Sequence, residues 1–517
     1  MPAIVDAPWR RAPVAARRSG VQLHPMANPV PEVPALADGP GRDRPLVHFV
    51  LPPPCFERPE NFRAAQAPPL ALLTLGALAR RHGWDVRLVD AVHQPIPAER
   101  PDLVGMTVYT QNAPIAYALA GEYRDRGVPV VLGGAHASVL PGEGLRFADA
   151  VVAGEAESVL GDVLTDTAAG RLAGIYRGSW EPMTDVPGPP EYQHLARQLP
   201  RRRYPSPYVY QTARGCRFNC SFCSVIRING RGQRRRDPAT VVAHFRELAE
   251  RARRPVHVFL VDDDFAADLD ASAELCEALA VADLPVTFGT QTSIGIARDD
   301  EFLALARRAG LSIAYNIGLD SLSRDDLKVV NKKNRPSTYA ESIERLHRHD
   351  IGVSGSLIFG IADEPLDSYR AAGSIAADLG LDTAMFNVLS PMPGTETFAS
   401  LHAAGRIESY DWALFDATHC VIEPHGVDPL DLERVRVEAY RTFMARREGG
   451  YVPGAREQVA RPFDELIAAH GPDDPPTWVS YEAHPDDVAD LALTSAADAN
   501  EAITTARRGE LDRGRDG

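Results

Sequence analysis

At 517 residues the chain exceeds what one ordinary hydrophobic core supports, so two or three domains are expected. A hydrophobic fraction of 44% with no run of eighteen apolar residues excludes a membrane-spanning helix and fits a globular protein. The formal net charge of −15 argues against general nucleic-acid binding.

No apolar stretch follows the N-terminal charges, so a secretory signal is not expected, and unpaired cysteines suit the reducing cytoplasm. Residues 1–44, rich in Pro, Ala, Val and Arg without a sustained period, read as a disordered leader, with Met26 an alternative start to Met1. An alternating pattern then begins. Strands are expected at 45–51, 85–90, 103–109, 129–132 and 150–153, with helices at 70–82 and 113–126. Such alternation implies a parallel, doubly wound, flavodoxin-like sheet over residues 45–180, whose ligand sits at the carboxyl ends of the strands. Glycines fall at those ends, among them Gly133, Gly134 and Gly154, where a bulky ligand could approach the backbone.

A Pro- and Gly-bearing linker is expected at 181–200. After it the strand-like Tyr208–Thr212 leads into Cys216-x3-Cys220-x2-Cys223, which gathers three of the six cysteines within eight residues. The spacing is too tight for a set of disulfides and suits thiolates wrapped around one iron–sulfide cube. Three thiolates on four irons leave one iron open to a substrate or cofactor. A zinc site is the alternative, but zinc usually takes four protein ligands and no obvious fourth follows Cys223.

Five further strand–helix units follow, with strands at 256–261, 286–290, 312–318, 353–359 and 383–389 and helices near 238–251, 271–282, 299–309, 338–349 and 366–379. Six units are too few to close an eight-stranded barrel, so residues 201–400 are expected to form an open, partial (βα)6 barrel. Residues 401–470 read as a helical C-terminal domain, with Leu432, Val435, Ala439, Tyr440 and Phe443 at helical spacing and Trp412, Phe415, His419 and Cys420 as candidate walls of a substrate pocket. Residues 471–517 carry eleven acids against four arginines and read as a mobile tail with one short helix at 486–493.

The cysteine loop, including Phe222 before the third cysteine, resembles the signature of the radical S-adenosylmethionine (SAM) enzymes. In those enzymes a [4Fe-4S] cluster on the three cysteines binds SAM and cleaves it to a 5'-deoxyadenosyl radical. The resemblance extends to the strand ends. Asp262, Asp263 and Asp264, then Gln291, Asp320 and Ser321, and then Gly355 and Ile358 stand where that family contacts SAM. The prolines after strand one, including Pro53, together with Thr107, Tyr109, Gly133, Gly134, His136, Gly154 and Glu155, resemble the cobalamin-binding domain that precedes the radical SAM domain in the B12-dependent subfamily. The Asp-x-His-x-x-Gly motif that supplies an axial histidine in other cobalamin proteins is absent.

The resemblance implies a cytoplasmic enzyme with a [4Fe-4S] cluster, SAM and cobalamin. Its expected reaction is methyl transfer from cobalamin to an unactivated carbon of a small-molecule substrate. Ring formation or rearrangement by the same apparatus is the alternative, and a non-catalytic iron–sulfur or cobalamin sensor a more remote one. An external electron donor such as flavodoxin is the expected partner. The ten arginines between Arg201 and Arg236, with no acid among them, predict a positive surface by the cluster loop.

Overall fold

The structure, a computed structural model, describes residues 10–13, 28–37, 42–56, 67–446 except 205, 363 and 425, and 477–480. Two six-stranded parallel sheets organise it. The first contains β1 (Leu46–Leu51), β2 (Asp85–Asp90), β3 (Leu103–Thr107), β4 (Val130–Gly133), β5 (Ala150–Ala153) and β6 (Gly174–Arg177), in the order β2-β1-β3-β4-β5-β6. The order reverses between β1 and β3. In open α/β sheets this reversal opens a crevice at the strands' carboxyl ends.

Val47 and Phe49 enter one apolar layer with the helix at Leu70–Arg81, while Val50 and Met106 enter the other with the helix at Ala113–Asp125. This two-sided burial explains why β1 reads as a continuous apolar run. Strand β6 is absent from the sequence pattern. It lies at the sheet's edge with alternating half-buried and exposed residues, so Gly174-Ile175-Tyr176-Arg177 carries little apolar signal.

The second sheet contains β7 (Tyr208–Tyr210), β8 (Val256–Leu260), β9 (Val286–Gln291), β10 (Leu311–Asp320), β11 (Gly352–Phe359) and β12 (Thr383–Val388), paired in chain order. It is the open arc of six that the unit count implies. The helix at Pro429–Arg446 extends the core beyond β12, burying Leu432, Val435, Ala439, Tyr440 and Phe443, and the Tyr440 hydroxyl accepts the Phe386 N–H at 3.0 Å.

Three expectations need correction. Residues 28–37, placed in the disordered leader, pack on the first sheet's unit: Val33 is buried, the Asn28 N–H donates to the Cys55 carbonyl at 2.9 Å, and Arg126 donates to the Val33 carbonyl at 2.9 Å. Extended chain with scattered apolar residues has no period to read. Residues 181–200 are not a bare linker, because Tyr192, Leu195, Ala196 and Leu199 are buried against the helix at Leu70–Arg81 and its sheet. Their helical spacing was the missed signal. Gln198 also satisfies the edge of β2, accepting from Leu88 N–H at 2.9 Å and donating to the Val86 carbonyl at 3.1 Å. The tail expectation fails at Thr477–Ser480, which pairs antiparallel with Arg10–Pro13, whereas the helix expected at 486–493 lies outside the described residues.

His48 in the middle of β1 is fully buried, and neither ring nitrogen has a hydrogen-bond partner among the described residues. Burial holds its pKa down at about 4. A histidine whose folded pKa is depressed costs stability as pH falls, because the unfolded chain takes up a proton near pH 6.5 that the folded chain refuses. Denaturant unfolding is therefore expected to weaken between about pH 6.5 and 4, by up to about 3 kcal/mol from this residue. His48→Leu should flatten that slope, and equal slopes in the two proteins would refute the assignment.

Candidate cofactor sites between the facing sheet ends

The carboxyl ends of the two sheets face each other across a cavity of about 610 Å³. Gly105, Thr107, Gly133, Gly134 and Gly154 line it from the first sheet, and Gln211, Val261, Asp263 and Gln291 from the second. Its floor is backbone. Gly134 has φ +95°, and a Cβ there would stand 2.8 Å from Thr107 Oγ1 and 2.9 Å from Val108 N, so no side chain fits. At Gly133 the nearest atom to an added Cβ is 3.8 Å away, leaving the surface open to a flat, bulky group. Tyr109, 46% exposed, stands on the same wall.

The cysteine loop leaves the second sheet just after β7. It turns at Gly215, where φ is +96° and a Cβ would overlap the Gly232 carbonyl oxygen at 2.0 Å. Gly215 N–H donates to Asp263 Oδ2 at 2.6 Å, and Asn229 donates to both oxygens of the same carboxylate at 3.1 and 3.0 Å. On the far side Ser221 N–H donates to the Val330 carbonyl at 3.1 Å, and Asn331 donates to the Asn219 carbonyl at 2.8 Å. The loop is thus fixed from both flanks. Its three thiols are unpaired and half-buried. Burial pushes Cys216 up to about 12 and Cys223 up to about 11, a cost that a bound metal's positive charge would offset. Among the described residues no three His, Cys, Asp or Glu side chains converge as ligands of a single ion.

The three aspartates after β8 serve the backbone. Asp262, fully buried, accepts from Thr212 N–H at 2.6 Å, from the Thr212 hydroxyl and from Ala213 N–H at 3.1 Å. Burial raises its pKa to about 6, against those hydrogen bonds. Asp262 does not line the main cavity. Asp264 accepts from Ser293 N–H at 2.8 Å and Ala266 N–H at 3.1 Å, tying β8 to β9. Asp263 braces the cysteine loop yet still reaches the cavity.

Gln291 lines the main cavity, whereas Asp320, Ser321 and Ile358 line a second one of about 320 Å³ beside the helix at Leu366–Asp378. Ser321 is occupied with Asp326 Oδ2 at 2.9 Å. Gly355 makes room for Leu381, whose Cδ1 would stand 2.7 Å from an added Cβ, and so serves packing. Phe222 packs half-buried against the main core.

The sequence reading missed Lys332. Its ammonium meets Asp320 Oδ2 at 2.5 Å, its side chain is 17% exposed, and its charge acts on Cys220 and Asp264. Gly318 leaves the room, since a Cβ there would lie 2.9 Å from the Lys332 Nζ. The only trace in the sequence is a run of cations after a short helix, which reads as surface.

In the first unit, His136 and Pro53 do not reach the main cavity's lining. His136 is buried between Thr110 Oγ1 at 3.2 Å and Glu143 Oε1 at 3.2 Å, and Glu143 also accepts from Tyr117 at 2.6 Å and from Trp412 Nε1 at 3.1 Å. Trp412 is therefore a buried tie between the C-terminal region and the first unit, not an exposed pocket wall. His419 and Cys420 are buried as well, His419 beside Asp416 at 3.1 Å. Glu155 lines the cavity but is held by arginines. Arg214 approaches it at 3.3 Å while reaching Glu157 at 2.6 Å, and Arg234 donates to it at 2.9 Å.

In the run expected to form a positive surface, Arg235 and Arg236 are likewise engaged, whereas Arg202, Arg203, Arg217 and Arg231 are exposed. Arg236 is buried with donors on the carbonyls of Met183, Val186, Pro187 and Gln211, and Arg235 donates to Gln233 and to the Asp268 carbonyl. Buried guanidinium groups need several acceptors, and here the backbone provides them.

Comparison with known proteins shows the family and its cofactors. Residues 63–164 match the B12 binding domain and residues 210–373 the Radical SAM superfamily, in that order. The chain belongs to the cobalamin-binding radical SAM enzymes. This radical SAM enzyme is 29% identical to bacteriochlorophyllide d C-12(1)-methyltransferase of Chlorobaculum tepidum over 69% of its own length and 78% of the relative's. It is 27% identical to the anaerobic magnesium-protoporphyrin IX monomethyl ester cyclase of Rubrivivax gelatinosus, over 77% and 78%. Its fold is similar to that of the radical SAM methyltransferase TsrM from Kitasatospora setae, with a TM-score of 0.59 at 16% identity, covering 83% of this chain and 100% of that one. Its cofactors are a [4Fe-4S] cluster, SAM and cobalamin, and the residues present fit them: a soft three-thiolate loop and a glycine floor too tight for side chains. Among the described residues no helix is long and apolar enough to cross a membrane.

The Glu155–Arg pairs join the cobalamin-binding part to the cysteine loop's own ribbon, where Ala213–Arg214 pairs with Arg234–Arg235. Glu155→Ala leaves Arg234 without a carboxylate partner while Arg214 keeps Glu157, and should lower stability to denaturant by about 3 kcal/mol. Glu247→Ala removes the exposed pair with Arg251 and should change stability by less than about 0.5 kcal/mol. Equal losses in the two variants would show that the clamp carries no weight.

Proposed function

We propose that this enzyme is a C-methyltransferase acting on an unactivated carbon of a small-molecule substrate. One observation carries the reading: the glycine floor of the first sheet and the strand ends of the second open on the same cavity. A substrate held there could meet both cofactors without moving between sites. When bound, the cluster and cobalamin supply a radical derived from SAM and a transferable methyl group. The chain's part is to position and enclose. Cys216, Cys220 and Cys223 hold the cluster. Gly133, Gly134, Gly154, Thr107 and Tyr109 would seat cobalamin. Gln291 and Asp263 face SAM, and Lys332 offers the cation for its carboxylate while Asp320 keeps that ammonium in place.

The proposed domain limits are 45–180 for cobalamin binding and 201–400 for radical SAM chemistry. Six free cysteines support a cytoplasmic location. The cyclase relatives keep one alternative open, ring formation without methyl transfer.

The deciding assay supplies methyl-labelled SAM, cobalamin and a low-potential reductant to the anaerobically reconstituted enzyme. Methyl transfer predicts label in the product and equal amounts of S-adenosylhomocysteine and 5'-deoxyadenosine. Unlabelled product would favour the cyclase reading. Cys216→Ala, Cys220→Ala or Cys223→Ala should each reduce 5'-deoxyadenosine to background, whereas Cys276→Ala should not.

Lys332→Met should weaken SAM binding about tenfold, a loss of about 1.4 kcal/mol. Equilibrium dialysis of SAM on cluster-loaded protein checks it, and unchanged affinity would remove Lys332 from the site.

A further inference from the structure

The arginines Arg234, Arg235 and Arg236 are spent inside the molecule, yet the cysteine loop still carries a cationic face, built from a different segment. Residues 324–335 abut the loop's outer side through the Ser221–Val330 and Asn219–Asn331 hydrogen bonds. Beside them lies a cavity of about 300 Å³ lined by Arg324, Lys328, Lys332, Lys333 and Arg335, with no acid in its lining. Arg324, Lys328, Lys333 and Arg335 are exposed, and so is Val329, at 62%. Arg217 and the exposed Arg231, which donates to Asn219 Oδ1 at 2.5 Å, continue the face from the loop itself. Lys332 is paired with Asp320 at 2.5 Å and Lys328 with Asp325 at 2.6 Å, which leaves Arg324, Lys333 and Arg335 to carry most of the charge.

We propose that this face is the docking surface for an acidic one-electron carrier protein. The inference rests on the cluster reading above. Each reductive cleavage of SAM takes one electron into the cluster and breaks one sulfonium C–S bond, so the electron must enter from outside, close to the loop. The molecule as a whole, at −15, repels an acidic partner. A local cationic patch beside the loop turns that repulsion into orientation, because it attracts only where electron entry is useful. Exposed Val329, next to Lys328, adds an apolar contact to this charged face.

The test uses reduced flavodoxin as the probe and the cluster-loaded full chain. Lys328→Glu, Lys333→Glu and Arg335→Glu together should slow flavodoxin-driven bleaching of the cluster absorbance at least tenfold and weaken direct binding similarly. The wild-type rate should fall as salt rises above about 0.15 M, where charges beyond about 8 Å are screened. Reduction by dithionite, a small ion that needs no docking surface, should keep its wild-type extent. Flavodoxin reduction and binding within twofold of wild type would overturn the proposal. Capture of inorganic phosphate with flavodoxin unaffected would also overturn it, marking the cavity as an anion site. Cluster reduction reads the same whether the enzyme methylates or cyclises, so failure here is distinct from failure of the methyl-transfer reading.

Discussion

The structure depends on holding the carboxyl ends of two parallel sheets face to face. Parallel sheets direct all their strand ends one way, and both units here spend those ends on a shared cavity rather than on solvent. Such apposition does not follow from either sheet alone. Charge supplies it: Glu155 and Glu157, just past β5, meet Arg214 and Arg234 on the ribbon flanking the cysteine loop. In a nearly closed space such pairs are costly to break, which favours one arrangement over a range of hinge angles.

A second tie acts at the far side. Glu143 gathers His136, Tyr117 and Trp412, so the C-terminal region closes over the first unit through one buried carboxylate. Between the ties, Tyr192, Leu195 and Leu199 weld the connecting segment onto the first sheet's helices. The two units therefore share core as well as charge. For a reaction that must bring a cluster, a corrin and a substrate into line and keep water out, rigidity of this kind is the chain's main contribution.

The aspartates after β8 show how a site can be organised through hydrogen bonds to the backbone around it. Asp262 ties the end of β7 to β8, Asp263 holds the turn at Gly215, and Asp264 ties β8 to β9. Their acidity in the sequence suggests direct contact with a cationic ligand. Their geometry also gives the cysteine loop a fixed base, and the cation paired with Asp320, Lys332, comes from a segment that the sequence does not single out.

Sequence alone determined the first unit's strands up to β5, the strand and helix order of the second unit with its open six-stranded arc, the cysteine loop and the glycines of the floor. Each rests on local rules: apolar period, three thiolates at close spacing, and positions that accept only glycine. What it left open were the side chains whose roles depend on partners far along the chain. His136 looked like a cavity wall until Glu143 and Trp412 surrounded it. Glu155 looked like a ligand contact until Arg214 and Arg234 reached it, and the end of the arginine run looked like a free surface until backbone carbonyls absorbed Arg235 and Arg236. Whether a polar side chain faces ligand, solvent or another chain segment is decided by desolvation and pairing across long sequence separations. Only the tertiary structure supplies those neighbours, because a buried charge takes whichever partner the folded chain brings within hydrogen-bonding reach.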